Sequence, residues 1–347
     1  MPAKSKIMIV FHIGMEKTGS TAFQQYCAIN ATILARNGVL YPRNKFVFDG
    51  ENHSRLVACY LPYIAHDVGI KSTRARALKA LFQEISRNRP RVVLLSAEHF
   101  SSRFSHKEVA QLSSDFAAFD FRIIVVVRPH VELIYAGYAQ TVLAGRPIPF
   151  SSYCVELLEP ANRYIRYREA IEPWGQVFGE ESVRLLPYRK QADMVQDLLR
   201  LCLPSDLGAP SSLVARLNVS LSATKTEALR RVLLTMPPHL PNKSGLLAWL
   251  RWTIMQRARY RMRDLLQATS IGNDESKYAF AAAHRQQIGE IAVADRAWLL
   301  SQYCVSLVDQ DMSQPAHALD EGIIGALEAY LRERYWIRLL ISVGQKR

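Results

Sequence analysis

Short apolar runs of strand length alternate along the chain with longer segments in which apolar residues recur at helical spacing. The apolar runs lie at 7–13, 91–95, 123–127 and 183–187, and the run at 123–127 is continuous and β-branched. Strands separated by helices favour right-handed parallel crossovers, and a continuous apolar strand is typical of a sheet covered on both faces. The pattern therefore predicts an α/β fold, with a P-loop-type parallel sheet flanked by helices.

The last third of the chain has a helical pattern throughout. Nothing in the sequence marks a clear boundary between domains. We therefore predict one domain over residues 1–347, with an α/β core at about 7–222 and a helical C-terminal extension at about 223–347.

The first apolar run leads through a short loop into a helix. The strand pattern of Ile7–Ile13 is followed by the loop Gly14–Gly19, and the helical pattern opens near Ser20. Such a junction directs backbone N–H groups and the positive end of the helix dipole at one spot, which suits a phosphate or sulfate group. Lys17 adds a positive charge. Hydroxyl donors come from Thr18, Ser20 and Thr21. The alternative is a glycine-rich turn with one solvated lysine.

The spacing of this loop differs from that of the nucleotide-hydrolase loop, G-x-x-x-x-G-K-[ST]. Gly14 and Gly19 keep the glycine spacing, but Ser20 stands where the lysine belongs and the cation has moved to Lys17. This form, K-[ST]-G-[ST]-T after a strand, resembles the 5′-phosphosulfate loop of sulfotransferases that use 3′-phosphoadenosine-5′-phosphosulfate (PAPS). The string HIGMEKTGST is most similar to the bacterial members that act on carbohydrate or small-molecule hydroxyls.

A second stretch carries the same resemblance. Arg128 ends the β-branched run at 123–127, and a helix is predicted to begin just after Pro129. In PAPS sulfotransferases, a strand ending in Arg and a Ser eight residues later read the 3′-phosphate, so the resemblance assigns this role to Arg128. The serine position is Ala136 here, which is a departure from the family. The alternative for Arg128 is an ion pair with Glu132 on the same helix.

Three more positions are candidates for the site. Glu98 directly follows the predicted strand at 91–95, where it could act as a general base or cap the next helix. His53 follows a Tyr-Pro segment and a loop, as a histidine does in the bacterial sulfotransferases, and it is the second candidate base. Tyr188 comes just after the strand at 183–187, where the family places a tyrosine near the cosubstrate; the alternative is a surface tyrosine.

The resemblance implies transfer of a sulfuryl group from PAPS to a hydroxyl or amine, with departure of adenosine 3′,5′-bisphosphate. The acceptor class is a carbohydrate or small molecule, including a lipid-linked one, and no metal ion is expected. Lys17 would neutralise charge on the leaving phosphate, and Glu98 or His53 would remove the acceptor's proton. The implied cosubstrate-binding residues are Lys17, Thr18, Gly19, Ser20, Thr21, Arg128 and Tyr188. The acceptor and the oligomeric state stay open.

Two other classes of protein are also considered. A P-loop nucleotide kinase or hydrolase would bind ATP and Mg²⁺, but the displaced lysine argues against it, as does the lack of a convincing separate aspartate at a strand end. A non-catalytic anion- or polyanion-binding protein on the same fold is kept open by Ala136.

The charge balance favours anionic partners. The chain has 44 Lys and Arg against 31 Asp and Glu, a formal net charge of +13, which attracts nucleotides and acidic glycans without choosing among them. Binding of nucleic acid is not expected. The basic, aromatic segment at 246–266 could make peripheral contact with an anionic membrane or bind an acidic glycan; the alternative is a solvated face backed by core aromatics.

Compartment is predicted from cysteine usage and from the lack of targeting signals. The five cysteines are widely spaced and form no C-x-x-C pair, which favours a reducing compartment. We find neither a signal peptide nor an uncharged apolar run of the roughly 18 to 20 residues that a membrane span requires. A soluble, cytoplasmic protein is therefore expected.

Overall fold

The structure is a computed structural model in which residues 6–61, 73–189, 193–203, 221–236, 246–273, 277–309 and 319–344 are described, without the side chains of 246–252 and 335–344. The chain divides into two compact units, each with most of its contacts internal. Unit 1 comprises residues 1–130, 160–217 and 290–308, and unit 2 comprises 131–159, 218–289 and 309–347. The assignment of a single domain stays a prediction.

Unit 1 contains a five-stranded parallel sheet, which confirms the predicted fold class. Its strands are β1 (Met8–His12), β2 (Val39–Leu40), β3 (Val92–Ser96), β4 (Asp120–Val127) and β5 (Val183–Pro187). The order across the sheet is β2-β3-β1-β4-β5, and all of the neighbours are parallel. The central strand β1 therefore has β3 on one side and β4 on the other.

Helices flank this sheet in the described part of unit 1. They are α1 (Ser20–Ile29), α2 (Ala31–Arg36), α3 (Ser54–Tyr60), α4 (Arg74–Asn88), α5 (His99–Arg103), α6 (His106–Asp115), α9 (Tyr167–Phe178) and α10 (Met194–Cys202). Two further helices, α7 (His130–Leu143) and α8 (Phe150–Leu158), come between α6 and α9 in the sequence. Local sequence sets several ends. Thr73 caps α4 by accepting from the Arg76 N–H, and Ser105 forms a capping box with Glu108 at α6.

The helical segment that follows the loop is interrupted once. Asn30 separates α1 from α2, and both its backbone N–H and its side-chain Nδ2 donate to the Tyr26 carbonyl oxygen, each at 2.9 Å. The backbone bond is the ordinary helical one, whereas the side-chain bond to the same oxygen is a local contact of the kind by which asparagine competes with helical hydrogen bonds. Apolar periodicity alone does not report such a break.

The helical C-terminal part is confirmed. Its described helices are α11 (Ala223–Leu234), α12 (Leu246–Ala268), α13 (Ala282–Tyr303) and α14 (Glu321–Gly344). Ser222 caps α11 by accepting from the Lys225 N–H at 3.2 Å. None of the helices in the described part of the chain is long and apolar enough to cross a membrane.

The core of unit 1 lies on both faces of the central strand. Ile9, Val10 and Phe11 of β1 are fully buried, and Phe11 packs edge-on against Phe100 and Phe116. Because β1 is held between two parallel neighbours, the segments that follow β1, β3 and β4 emerge at one edge of the sheet. Those segments contain the loop, Glu98 and Arg128.

Candidate functional site

The loop after β1 contains several left-handed residues. Its positive φ angles are 38° at Gly14, 62° at Lys17 and 91° at Gly19. Turns that contain such residues are the ones in which successive N–H groups can form an anion-binding nest. Gly19 is also the N-cap of α1 and provides no side-chain cap, so the first-turn N–H groups of α1 lack acceptors within the helix. Loop and helix together offer donors to an anion.

The loop hydroxyl groups differ in what they can do. Thr18 is buried and its hydroxyl donates to the Met15 carbonyl oxygen. Ser20 is also buried, and its hydroxyl contacts that of Thr18 at 3.4 Å and hydrogen-bonds Glu98. Thr21 is exposed in the first turn of α1. The Thr18 proton is therefore already used inside the loop and is not available to a ligand.

Lys17 is half-buried among charged neighbours. Burial lowers the pKa of its ammonium group, Glu98 and Glu16 oppose that shift, and Arg128 adds to it. The backbone of Lys17 is left-handed, which is unfavourable for a residue with a Cβ atom. Strain of this kind concentrates at functional sites. The loop therefore holds a partly desolvated cation whose charge Glu98 and Glu16 stabilise.

Arg128 joins the end of β4 to this loop. Its Nη1 donates to the Lys17 carbonyl oxygen at 2.8 Å, and its guanidinium carbon lies 4.5 Å from the centre of the Tyr188 ring. Tyr188 is half-buried, and its N–H donates to the Val127 carbonyl oxygen at 2.7 Å. The structure thus brings together Lys17, Arg128 and Tyr188, which lie far apart in the sequence.

Glu98 occupies the N-cap position of α5, but its side chain makes no capping hydrogen bond. Burial and the nearby Glu16 raise the pKa of Glu98 to about 7, while Lys17 and the hydrogen bond from Ser20 lower it. A base whose pKa is close to the working pH is suited to proton transfer. The carboxylate contacts the loop and has the acidity that a general base requires.

His53 is engaged elsewhere. The ring is fully buried; the Ser96 N–H donates to Nδ1 at 3.0 Å, and Nε2 donates to the Pro42 carbonyl oxygen at 2.9 Å. Burial lowers the pKa of His53 to about 4. Because the Nδ1 lone pair already accepts a backbone hydrogen bond, the ring has no lone pair for a substrate proton. This arrangement suits a residue that fixes the chain to β3 better than it suits a base.

A buried polar cluster beneath the loop was not identified from the sequence. Ser96 Oγ lies 2.7 Å from His12 Nδ1 and accepts from Gln24 Nε2 at 3.1 Å. Ser101 donates to the Gly14 carbonyl oxygen. These contacts fix β1, β3 and α1 relative to the loop. The available signal was the polar residue at the end of each apolar run, His12 and Ser96.

A second hydrogen-bond network joins the backbone of Arg128 to Tyr167 and Asp295. Tyr167 donates its hydroxyl to the Arg128 carbonyl oxygen and accepts from the Arg128 N–H at 3.3 Å. Asp295 on α13 is 5% exposed and accepts from the Tyr167 N–H at 2.7 Å, the Arg168 N–H at 3.1 Å and His130 Nε2 at 3.1 Å. Asp295 thereby caps α9. Its position in the sequence gives no signal of this role.

No protein-family model matches the chain, and no curated protein matches it. Among solved structures, a sulfotransferase from Alicyclobacillus acidocaldarius is similar with a TM-score of 0.38 and 13% identity, over 77% of this chain and 97% of that one. A structure of the PezAT chromosomal toxin-antitoxin system of Streptococcus pneumoniae is similar with a TM-score of 0.26 and 11% identity, over 78% of this chain and 90% of that one. At such low scores, neither likeness carries a conclusion about function.

Proposed function

We propose that this protein transfers a sulfuryl group from PAPS to a hydroxyl or amine of a carbohydrate or small-molecule acceptor. The observation that carries the proposal is the hydrogen bond from the Arg128 guanidinium to the Lys17 carbonyl oxygen. It joins an anion-binding loop to a forked cation suited to a phosphate dianion. A ligand with two anionic groups separated by a nucleoside matches that pairing.

The residues present fit such a nucleotide. The loop amides, Gly19, Thr21 and the Lys17 ammonium group would hold the phosphosulfate, Arg128 would hold the 3′-phosphate, and Tyr188 would lie beside the base. PAPS, when bound, supplies the sulfuryl group and a bisphosphate as the leaving group. Lys17 and the α1 N-terminus would stabilise negative charge on the departing phosphate, because they are positioned before the reaction begins.

Glu98 is the proposed general base. Its carboxylate contacts the loop through Ser20, and its pKa of about 7 leaves a large ionised fraction near neutral pH. His53 was the other candidate, but both of its ring nitrogens are hydrogen-bonded to backbone atoms. Glu98 would accept the acceptor's proton as the new oxygen–sulfur or nitrogen–sulfur bond forms.

One observation supports a second candidate function. Position 136 is a buried alanine, so the hydroxyl that sulfotransferases use for the 3′-phosphate is lacking here. A lost hydrogen bond to a charged group costs roughly 1.5 to 3 kcal/mol. A non-catalytic anion-binding protein on the same fold would tolerate that loss.

The proposal is tested by isothermal titration with adenosine 3′,5′-bisphosphate, adenosine 5′-monophosphate and ATP/Mg²⁺. We expect the bisphosphate to bind at least tenfold more tightly than the other two. Arg128→Ala should abolish this preference, whereas Arg189→Ala, which removes an arginine with a 61% exposed side chain, should not. Equal affinity with and without the 3′-phosphate would contradict the role of Arg128. Binding of the bisphosphate without any sulfuryl transfer to a panel of acceptors would favour the non-catalytic function.

A further inference from the structure

Arg259 on α12 is buried, unlike the other described arginines of the basic segment at 246–266. The sequence suggested a solvated basic face here, and Arg257 and Tyr260 are indeed exposed. Arg259 is only 1% exposed and is among the largest fully buried side chains of the described residues. A buried arginine stays protonated, so unit 2 contains a desolvated positive charge.

The charge of Arg259 is not compensated within the described part of the chain. Its Nε and Nη2 atoms are buried and have no hydrogen-bond partner. Burial lowers its pKa, and the group that opposes the shift is Tyr260 rather than a carboxylate. A buried charge without a partner is strongly unfavourable, and buried polar groups are almost always hydrogen-bonded.

Two other arginines of unit 2, Arg230 and Arg231, are paired with carboxylates. Arg230 donates to both carboxylate oxygens of Glu227, at 2.8 and 2.6 Å. Arg231 donates to Glu227 at 2.9 Å and to Glu321 at 2.7 and 2.8 Å. These two arginines are more exposed than Arg259, with side-chain exposures of 17% and 32%. The deepest of the three guanidinium groups is therefore the one without an acidic partner.

The two unpartnered nitrogens have a specific geometry. Nε and Nη2 lie on one edge of the planar guanidinium, and their two parallel N–H groups match the two oxygens of a carboxylate, sulfate or phosphate. The guanidinium is seated on Gly145: a Cβ atom built on that residue would be 1.7 Å from Nη1 and 2.6 Å from Cζ. Gly145 has a φ of 92°, so both its conformation and this close approach require glycine.

We propose that Arg259 binds an oxyanion through its Nε–Nη2 edge, in a site that Gly145 makes room for. The ligand class is a carboxylate or a tetrahedral oxyanion, carried on a small molecule or free in solution. This site is separate from the loop at residues 14–19 and does not depend on sulfuryl transfer. An oxyanion with two accepting oxygens gives each of the two orphan donors an acceptor of its own.

The test measures thermal midpoints during titrations with sulfate, inorganic phosphate and acetate, at constant ionic strength against chloride. All variants are made in a Lys17→Ala background, which disables the loop. We expect a saturable rise of the midpoint at low millimolar anion in that background and in Arg257→Gln, whose arginine is exposed two residues away. Arg259→Gln should lose the saturable rise, and Arg259→Lys, which keeps the charge without the fork, should weaken apparent affinity at least tenfold. The relative strength of acetate and sulfate then distinguishes a carboxylate site from a tetrahedral one.

Two outcomes would overturn the proposal. One is a linear rise with anion concentration that is equal in Arg257→Gln and Arg259→Gln, since excluded anions such as sulfate stabilise any protein in that manner. The other is an unchanged apparent affinity in Arg259→Lys, which also serves as the deciding variant if Arg259→Gln does not fold. Gly145→Ala gives an independent check, because its Cβ must displace the guanidinium and should abolish saturable binding.

Discussion

Replacing Lys17 by glycine should give a more stable protein than replacing it by alanine, and either substitution should remove the proposed activity. Lys17 has a φ of 62°, and the left-handed region costs a residue with a Cβ atom about 1 to 2 kcal/mol. Glycine avoids that cost but loses about 0.5 to 1 kcal/mol more conformational entropy on folding. The net difference between Lys17→Gly and Lys17→Ala is therefore about 1 kcal/mol, with glycine the more stable.

The comparison with alanine isolates the backbone. Both substitutions remove the ammonium group and its contacts, so these effects cancel between the two variants. Lys79, which is exposed in α4, provides the matched control. In a helix, glycine is about 1 kcal/mol less stable than alanine, so Lys79→Gly should be less stable than Lys79→Ala. The sign of the Gly-versus-Ala difference is thus expected to reverse between positions 17 and 79.

The assay is urea unfolding of the four variants, combined with titration of adenosine 3′,5′-bisphosphate. Both variants at position 17 should lose at least a factor of ten in affinity, because they lack the cation, although the glycine variant is more stable. If glycine at position 17 were less stable than alanine by about the helical amount, the left-handed conformation would be wrong. If both variants kept full affinity, the proposed role of Lys17 would be wrong.

Two further predictions concern the groups that support the loop and Arg128. The pKa of Glu98 is raised to about 7 from an ordinary 4.5, so the free energy of unfolding should fall as pH rises through that interval, by roughly 3 kcal/mol at most. Glu98→Gln should remove this pH dependence in urea unfolding and should also abolish transfer. A pH dependence that is unchanged in Glu98→Gln would contradict the assignment. Asp295→Asn should destabilise the protein by roughly 1 to 3 kcal/mol, since an amide cannot accept from all three donors. It should also weaken binding of adenosine 3′,5′-bisphosphate several-fold, because Asp295 positions Tyr167, which hydrogen-bonds the backbone of Arg128. Glu169→Gln, whose side chain on α9 is 51% exposed, is the control, and equal effects of the two variants would argue against a positioning role.

The sequence was sufficient for the fold because each strand has a local signal. Continuous apolar runs gave four of the five described strands, and the extended piece at Val39–Leu40 became the short edge strand β2. Parallel pairing then implies that polar residues after the strands share one edge. That rule, with the loop motif, was enough to anticipate that Lys17, Glu98 and Arg128 lie near one another.

The sequence did not reveal features that depend on distant partners. Glu98 and His53 are equally plausible bases until the structure shows that His53 is hydrogen-bonded at both nitrogens. Asp295 is one of two acidic residues in α13, and only packing places it against the start of α9. Arg259 lies in a run of arginines whose other members look identical in the sequence. Burial, which decides the properties of each of these residues, is set by tertiary contacts.

The coupling between Lys17 and Glu98 leads to a last expectation about proton uptake. In the free protein, each group stabilises the charge of the other, since Lys17 lowers the pKa of Glu98 and Glu98 raises that of Lys17. An anion bound in the loop competes for the ammonium group and adds negative potential beside the carboxylate. The pKa of Glu98 should therefore rise when the nucleotide binds, which makes it a stronger base in the complex than in the free protein.

This coupling can be measured by calorimetry in buffers of different ionisation enthalpy at pH 7.5. A rise of one pKa unit from about 7 corresponds to uptake of about half a proton per adenosine 3′,5′-bisphosphate bound. The phosphates of the ligand titrate as well, so the informative quantity is the difference between the wild-type protein and Glu98→Gln. If the two proteins exchange the same number of protons, the anion does not affect Glu98, and the carboxylate is then not close enough to the loop to serve as the base.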